Sequence, residues 1–374
     1  MTLDGTRAYT YDPEGGALVV VDLASSPTEE YAAQAEPEGT LPEGYLPAQR
    51  DRANTAVPPS CERRGPALTT VAGKRLALAL FPIVEEGRGT TPDNKALELV
   101  ALDTAAGEAA WHARFDLDED TVTCHIAGVS GNTAVVVLGG DREFGVAQTT
   151  YGIDLVTRKV VWRQENFDAQ LVLGGHVVGG AADAENGGVV LTSHDARSGR
   201  RQWTSSVRAG WQLEASVWSP GRLFVSSTGA GVSDTAVVKL ADGGVHDMAG
   251  FGERLVDVDR CVYDEQARTF CMAATTEGAE LTAYDADSGR RLWRVGGPSD
   301  TTGRLVPSLT AAYHGAVYGT VRRGDEEPPE PVVMDGATGE DKETSPGAAP
   351  WRVNGYVGLV PAGDHSVAVY LAVG

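Results

Sequence analysis

The chain has 374 residues, 42% of them apolar, enough to fill a core. Its 52 acidic residues outnumber 31 basic ones, giving a formal charge of −21. That excess repels phosphate backbones and anionic membrane surfaces, which sets nucleic acid aside as a partner. Solubility, or an acidic docking surface, accounts for the charge.

The start, Met1-Thr2-Leu3-Asp4-Gly5, has neither the basic nor the apolar region of a signal peptide. It reads as a cytosolic protein or as a trimmed ectodomain. The longest apolar run, Leu76 to Val84, is interrupted by Pro82 and is far short of the roughly 20 residues that span a bilayer. Residues 7–23 read as two strands around Asp12-Pro13-Glu14-Gly15-Gly16. Residues 25–66 are rich in Pro, Glu and Ala and read as a surface insertion, with Tyr45 and Leu46 as its apolar bait.

From residue 67 short Val-, Leu- and Ala-rich strands alternate with Gly, Asp and Asn turns. A fixed spacing runs through them: Asp103, Gly107, Trp111; Asp195, Gly199, Trp203; Asp285, Gly289, Trp293. Asp154 and Trp162 keep it with Arg158 in place of Gly, and Asp335 and Gly339 keep it with Glu343 in place of Trp. With Asp22 and Asp242 the anchors number seven, and those after Asp103 follow at intervals of 51, 41, 47, 43 and 50 residues. Four-stranded units of this length are the size of propeller blades, and no sustained helical stripe competes. The predicted fold is an all-β, seven-bladed β-propeller of four-stranded antiparallel blades, with eight blades as the alternative. It is one domain over 1–374, expected to be a monomer. Its first blade is expected to form from both chain ends, pairing N- and C-terminal strands so that no sheet edge is left open.

The turn residues have structural work to do. Asp can accept from backbone amides between the third and fourth strands, and Gly takes the positive φ there. Trp packs between blades and can donate to a carbonyl. Loss of the Trp after Asp242 and Asp335 predicts looser blade contacts. The four cysteines form no CxxC pair. A turn at Asp264–Arg268 sets Cys261 opposite Cys271 across a hairpin, leaving Cys61 and Cys124 for a second bridge. Two disulfides imply an oxidising compartment; the other reading is four buried thiols.

Asp116-Leu117-Asp118-Glu119-Asp120 fails as a calcium loop because Thr121 stands where Gly is needed. Gly139–Gly145 has no following helix to make a phosphate site. The seven histidines, including His112 and His194, form no HxxxH or HxH set. No catalytic, cofactor-binding or metal residue is predicted.

The pattern L-x-A-x-D-x-x-x-G-x-x-x-W, met almost throughout by Leu281 to Trp293, resembles the repeat of the PQQ-type (quinoprotein-like) β-propellers. The resemblance implies that Trp111, Trp162, Trp203 and Trp293 form a structural girdle. It implies one of two classes. One is the quinone- and calcium-dependent dehydrogenases of alcohols or sugars, whose alcohol-oxidising members carry adjacent bridged cysteines. The other is cofactor-free propellers like the BamB-type scaffolds and similar Gram-positive ectodomains. No two cysteines are adjacent here, so the expectation is a non-enzymatic extracytoplasmic scaffold or sensor ectodomain. It would bind a protein or cell-envelope ligand and need no cofactor. The alternative is a PQQ/Ca-dependent dehydrogenase.

Overall fold

The computed structural model describes the chain except residues 13–15, 26–30, 43–64, 86, 88, 92, 117–120, 141–147, 211, 230–231, 247–256, 276–277, 298–302, 325–326, 345, 362–366 and 372–374. Cys61, Tyr45, Leu46 and most of the acidic and Gly-rich loops named above lie outside the described residues. The fold is all-β and propeller-type, with eight antiparallel blades among the described residues.

The chain divides into two compact units. In the first, Met1–Thr204, blade 1 has β1 (Thr2–Asp4), β2 (Arg7–Tyr11), β3 (Leu18–Asp22) and β4 (Ala33–Ala35). Blade 2 has β5 (Ala67–Val71), β6 (Lys74–Glu85), β7 (Asn94–Asp103) and β8 (Glu108–Asp116). Blade 3 has β9 (Thr121–Ser130), β10 (Thr133–Gly140), β11 (Gln148–Asp154) and β12 (Lys159–Glu165). Blade 4 has β13 (Phe167–Leu173), β14 (His176–Ala182), β15 (Val189–Asp195) and β16 (Arg201–Ala209), within which the unit boundary falls.

In the second unit, Ser205–Gly374, blade 5 has β17 (Gln212–Ser219), β18 (Arg222–Gly229), β19 (Val232–Lys239) and β20 (Val245–His246). Blade 6 has β21 (Asp257–Tyr263), β22 (Arg268–Thr275), β23 (Gly278–Asp285) and β24 (Arg291–Gly296). Blade 7 has β25 (Ser308–Tyr313), β26 (Ala316–Val321), β27 (Glu330–Asp335) and β28 (Asp341–Glu343). Blade 8 has three strands, β29 (Arg352–Val353), β30 (Val357–Pro361) and β31 (Val367–Leu371).

Middle strands read as unbroken apolar runs because both of their faces are covered. On β6, Leu76, Leu78 and Leu80 pack with Ile126, Val136 and Ile153 of blade 3. The alternate residues Ala77, Ala79 and Phe81 pack with Tyr9, Leu18 and Val20 of blade 1. A side chain that leaves water this way stabilises by about 1.5–3 kcal/mol, so each blade interface holds several such contributions.

Two expectations are corrected. Among the described residues the blade count is eight, the alternative to the seven expected, because the anchors mark only blades that carry the Asp turn and the three strands described for blade 8 include none. The chain ends also do not share a sheet among the described residues. β1 is the first strand of blade 1, and β4, from the stretch read as insertion, is its fourth. The C-terminal strands form their own sheet.

The third strand leads into the fourth through one recurring turn. Asp103 Oδ1 accepts from the amides of Ala105 and Ala106, and Gly107 N donates to Asp103 O at 2.8 Å. The same pair of interactions recurs at Asp154 with Thr157 and Arg158, at Asp195 with Ser198 and Gly199, at Asp285 with Ser288 and Gly289, and at Asp335 with Thr338 and Gly339. Trp162 Nε1 then donates 2.9 Å to Ala196 O, and Trp293 Nε1 donates 2.9 Å to Gly336 O. In each case the acceptor follows the Asp of the next blade. A Cβ at Gly199 would stand 2.7 Å from the Trp162 ring and one at Gly339 2.7 Å from Trp293, so these sites need Gly for space as well as for φ. Arg158 takes the positive φ itself, at 57°, and its guanidinium lies 5.4 Å from the Trp111 ring centroid.

The contact between blades 5 and 6 is not loose, contrary to the sequence expectation. Trp218, at the end of β17, is fully buried and donates 3.1 Å to Ala286 O, the residue after Asp285. It fills from the first strand the place that the missing fourth-strand Trp leaves. Between blades 7 and 8 a cavity of about 190 Å³ opens, lined by Tyr318, Val333, Pro350 and Val357.

Trp218→Ala should cost about 3–5 kcal/mol in denaturant unfolding. Val161→Ala, at a half-exposed valine, should change it by under about 0.5 kcal/mol. The acid limb should show two steps. Burial holds His194 and His176 below the ordinary 6.5. Bonds from the Ser288 and Ser198 hydroxyls hold Asp285 and Asp195 below 3.8, and backbone amides do the same first for Asp103, Asp154 and Asp335. All these folded values are depressed, so the unfolded chain takes protons first as pH falls. Melting temperature should drop below about pH 6.5 and again below about pH 4. Asp285→Asn with Asp195→Asn should flatten only the second step.

Candidate functional site

The repeat residues singled out from sequence sit in the turns and blade interfaces described above. Asp285 and its counterparts have their side chains committed to backbone amides. Trp203 is 9% exposed. Cys261 and Cys271 lie directly opposite in β21 and β22 and are bridged. Cys261 lies against, and Cys271 within, the cluster of Trp218, Phe224 and Tyr284. Cys124 is also disulfide-bonded, and no cysteine is free among the described residues.

Sequence reading missed the most concentrated polar site. Glu98 is fully buried in the middle of β7. Its Oε1 accepts from Glu38 N at 2.7 Å and from His112 Nδ1 at 2.6 Å. Its Oε2 accepts from Gly39 N at 3.0 Å and meets Arg114 Nε at 3.3 Å. Four donors occupy the lone pairs that a carboxylate has, so Glu98 has none left for acid–base work. The carboxylate instead ties the stretch after β4 to blade 2. A single Glu inside Ala96-Leu97-Glu98-Leu99-Val100 was the available signal, since a charge in a doubly covered strand has to be paired.

Blade 6 has a related pair. Glu280 stands five residues before Asp285, as Glu98 stands before Asp103. Arg294 follows Trp293, as His112 follows Trp111. Glu280 Oε2 lies 3.6 Å from Arg294 Nη1, and its Oε1 accepts from Thr282 Oγ1 at 2.7 Å.

A cavity of about 330 Å³ opens between blades 2 and 3, next to the Glu98 cluster. Leu97, Phe115, Val136 and Leu138 line it, with Glu85, Arg114 and Asp116 at its polar end. Arg114 is shared among three carboxylates, those of Glu98, Glu38 at 3.2 Å and Glu85 at 3.5 Å, so negative charge is in excess. An apolar group with a cationic end has the matching chemistry. No cluster of three or more His, Cys, Asp or Glu side chains able to hold a metal occurs among the described residues.

Glu98→Gln should cost about 3 kcal/mol, because its amide N–H₂ would face donors. Exchange of the Glu38 and Gly39 amides should quicken with it. Glu85→Gln, on a partly exposed partner of Arg114, should cost under about 1 kcal/mol.

Comparison with known proteins places the repeat. A family model described as outer membrane protein assembly factor BamB matches residues 186–339. No curated protein matches the sequence. Among solved structures, BamB from Moraxella catarrhalis is 14% identical with a TM-score of 0.44, over 100% of this chain and 98% of that one. KlHsv2 with loop 6CD replaced by a Gly-Ser linker is 10% identical at 0.40, over 74% and 85%. Hsv2 from Kluyvelomyces marxianus is 11% identical at 0.38, over 64% and 72%. Scores this low carry nothing about binding or activity. Residues 186–339, which hold Asp195, Asp242, Asp285 and Asp335, are thus similar to the PQQ-like propeller repeats described as outer membrane protein assembly factor BamB, over less than half of the chain.

Proposed function

We propose that the chain is a non-enzymatic, extracytoplasmic scaffold that binds a protein of the cell envelope, either as a secreted or surface-anchored propeller or as the ectodomain of a sensor. The observation that carries this reading is the match of residues 186–339 to a model described as an assembly factor. The Cys261–Cys271 bridge supports an oxidising compartment. The repeat residues act as fasteners, which leaves turns, outer strands and the cavity rim for binding. The resemblance implies adjacent bridged cysteines only for the alcohol-oxidising quinone enzymes. The described bridge joins cysteines ten residues apart across a hairpin, not adjacent ones.

The test uses the full chain in cells that make it. Cross-linking in intact envelopes should trap one partner protein in a fixed ratio. Thiol titration of the denatured native protein should find no free thiol. Dye reduction with alcohols or sugars, pyrroloquinoline quinone and calcium would overturn the scaffold reading, and four free thiols would overturn the extracytoplasmic one.

A further inference from the structure

The cavity of about 330 Å³ between blades 2 and 3 is lined by described residues of the first unit. Its floor is core: Leu80, Leu97, Val136 and Ile153 are 2% exposed or less. Its mouth is not. Phe115 and Tyr151 are only half-buried, and Val160 is 43% exposed. Phe115 stands on β8 and Val160 on β12, the fourth strands of their sheets. The cavity therefore opens to water between two fourth strands and ends on the packed interior.

Its size and lining suit a small molecule. An apolar cavity of about 150 Å³ admits one benzene ring, and this one is about twice as large, which leaves room for a ring with a short alkyl chain. The polar end sets the charge of such a molecule. Glu85 and Asp116 line it, and Arg114 is the one Lys or Arg among the described lining residues. That guanidinium is already divided among Glu98, Glu38 and Glu85. One cation does not neutralise this set, so the end repels a carboxylate or a phosphate and attracts an ammonium. Phe115 and Tyr151 add ring faces, which also favour a cation. Arg163 on β12 is engaged with the Tyr151 ring, 5.5 Å from its centroid, and with Glu165 at 3.4 Å.

We propose that this cavity is a binding site for a free small amphiphilic cation, an apolar ring on a short chain that ends in an ammonium group. The ring lies against Leu97, Val136 and Phe115, and the ammonium meets Glu85 and Asp116. The site goes beyond the scaffold reading and does not depend on it. Burial of the ring supplies most of the affinity, and the carboxylates decide which apolar molecules are taken.

The probes are phenylbutylamine, phenylbutanol, phenylbutyrate and butylamine, titrated into the full chain by calorimetry. Phenylbutylamine should bind with a dissociation constant below about 1 mM and phenylbutanol about tenfold more weakly. Phenylbutyrate and butylamine should show no saturable binding. The methyl resonances of Leu97, Val136 and Leu138 should shift with the amine, which separates the cavity from the general pull of a chain of charge −21 on any cation. Glu85→Gln with Asp116→Asn should lower the amine to the affinity of the alcohol and leave the alcohol unchanged. Val160→Trp, at the exposed mouth, should remove both without lowering the melting temperature, and Val245→Trp, on another exposed valine, should keep both. Equal affinity for amine and alcohol, shifts confined to other methyls, or no binding of any probe overturns the proposal. So does loss of the envelope cross-link in Val160→Trp, which would make the occupant a side chain of the partner protein. If Val160→Trp keeps that cross-link and loses the amine, the small-molecule site stands apart from the scaffold surface. If even the unsubstituted chain captures no partner while the amine still binds, the scaffold reading fails by itself.

Discussion

An aspartate at the end of the third strand closes blades 4, 6 and 7 and, through the same turn, offers a carbonyl to a tryptophan of the blade before it. The carboxylate takes local donors, backbone N–H groups and at Asp195 and Asp285 a serine O–H as well, and so sets the direction of the next peptide group. Ala196, Ala286 and Gly336 present their oxygens because the residue before each is locked. A net hydrogen bond contributes about 1 kcal/mol, and the buried indole contributes more through packing. The bond therefore sets the geometry and the ring provides most of the cohesion.

The Ala286 carbonyl shows which part of this device is fixed. The acceptor stays in place while the donor moves from a fourth strand to the first strand, as Trp218. Arg222 Nη1 reaches the same oxygen at 3.1 Å. The turn is thus the invariant half, and the tryptophan can come from any strand that reaches it. Sequence spacing shows the turn, because Asp and Gly are four residues apart within one hairpin. It does not show Trp218, which lies 68 residues from its acceptor. The strands of blade 2 were legible for the same local reason, and blade 8 was left as the alternative because its described strands include no such turn to mark it. The bridge of Cys261 with Cys271 was legible because a hairpin fixes who stands opposite whom. Glu98 was not, since its partners Glu38 and Gly39 lie about sixty residues away along the chain.

Glu98 and Glu280 add a second kind of order to the packing. Apolar contacts between a third and fourth strand tolerate some sliding, because Leu, Val and Ala are interchangeable to first order. A buried carboxylate does not tolerate it. A one-residue slip would turn Glu98 to the opposite face and separate it from His112 and Arg114. The two pairs stand at the same distance from their turns, so each ties strand register to the turn that closes the blade. Burial of a charge is a costly way to add stability, and these pairs are better explained by register.

Recognition must then come from what this packing leaves over. A strand covered on both faces cannot present a side chain, and Oδ1 of Asp195 and of Asp285 is already taken by the Ser198 and Ser288 hydroxyls and amides. Where the repeat is complete, its residues are committed to holding neighbouring blades. Where it lapses, side chains become available: Val160 and Val161 on β12, Val245 on β20 and the residues of β31 are exposed. Among these, the charged neighbours of Val160 and Val161 keep that edge in water, as Lys159 and Arg163 flank them. β31 has no such charged flank within the strand, which pairs along its length with β30.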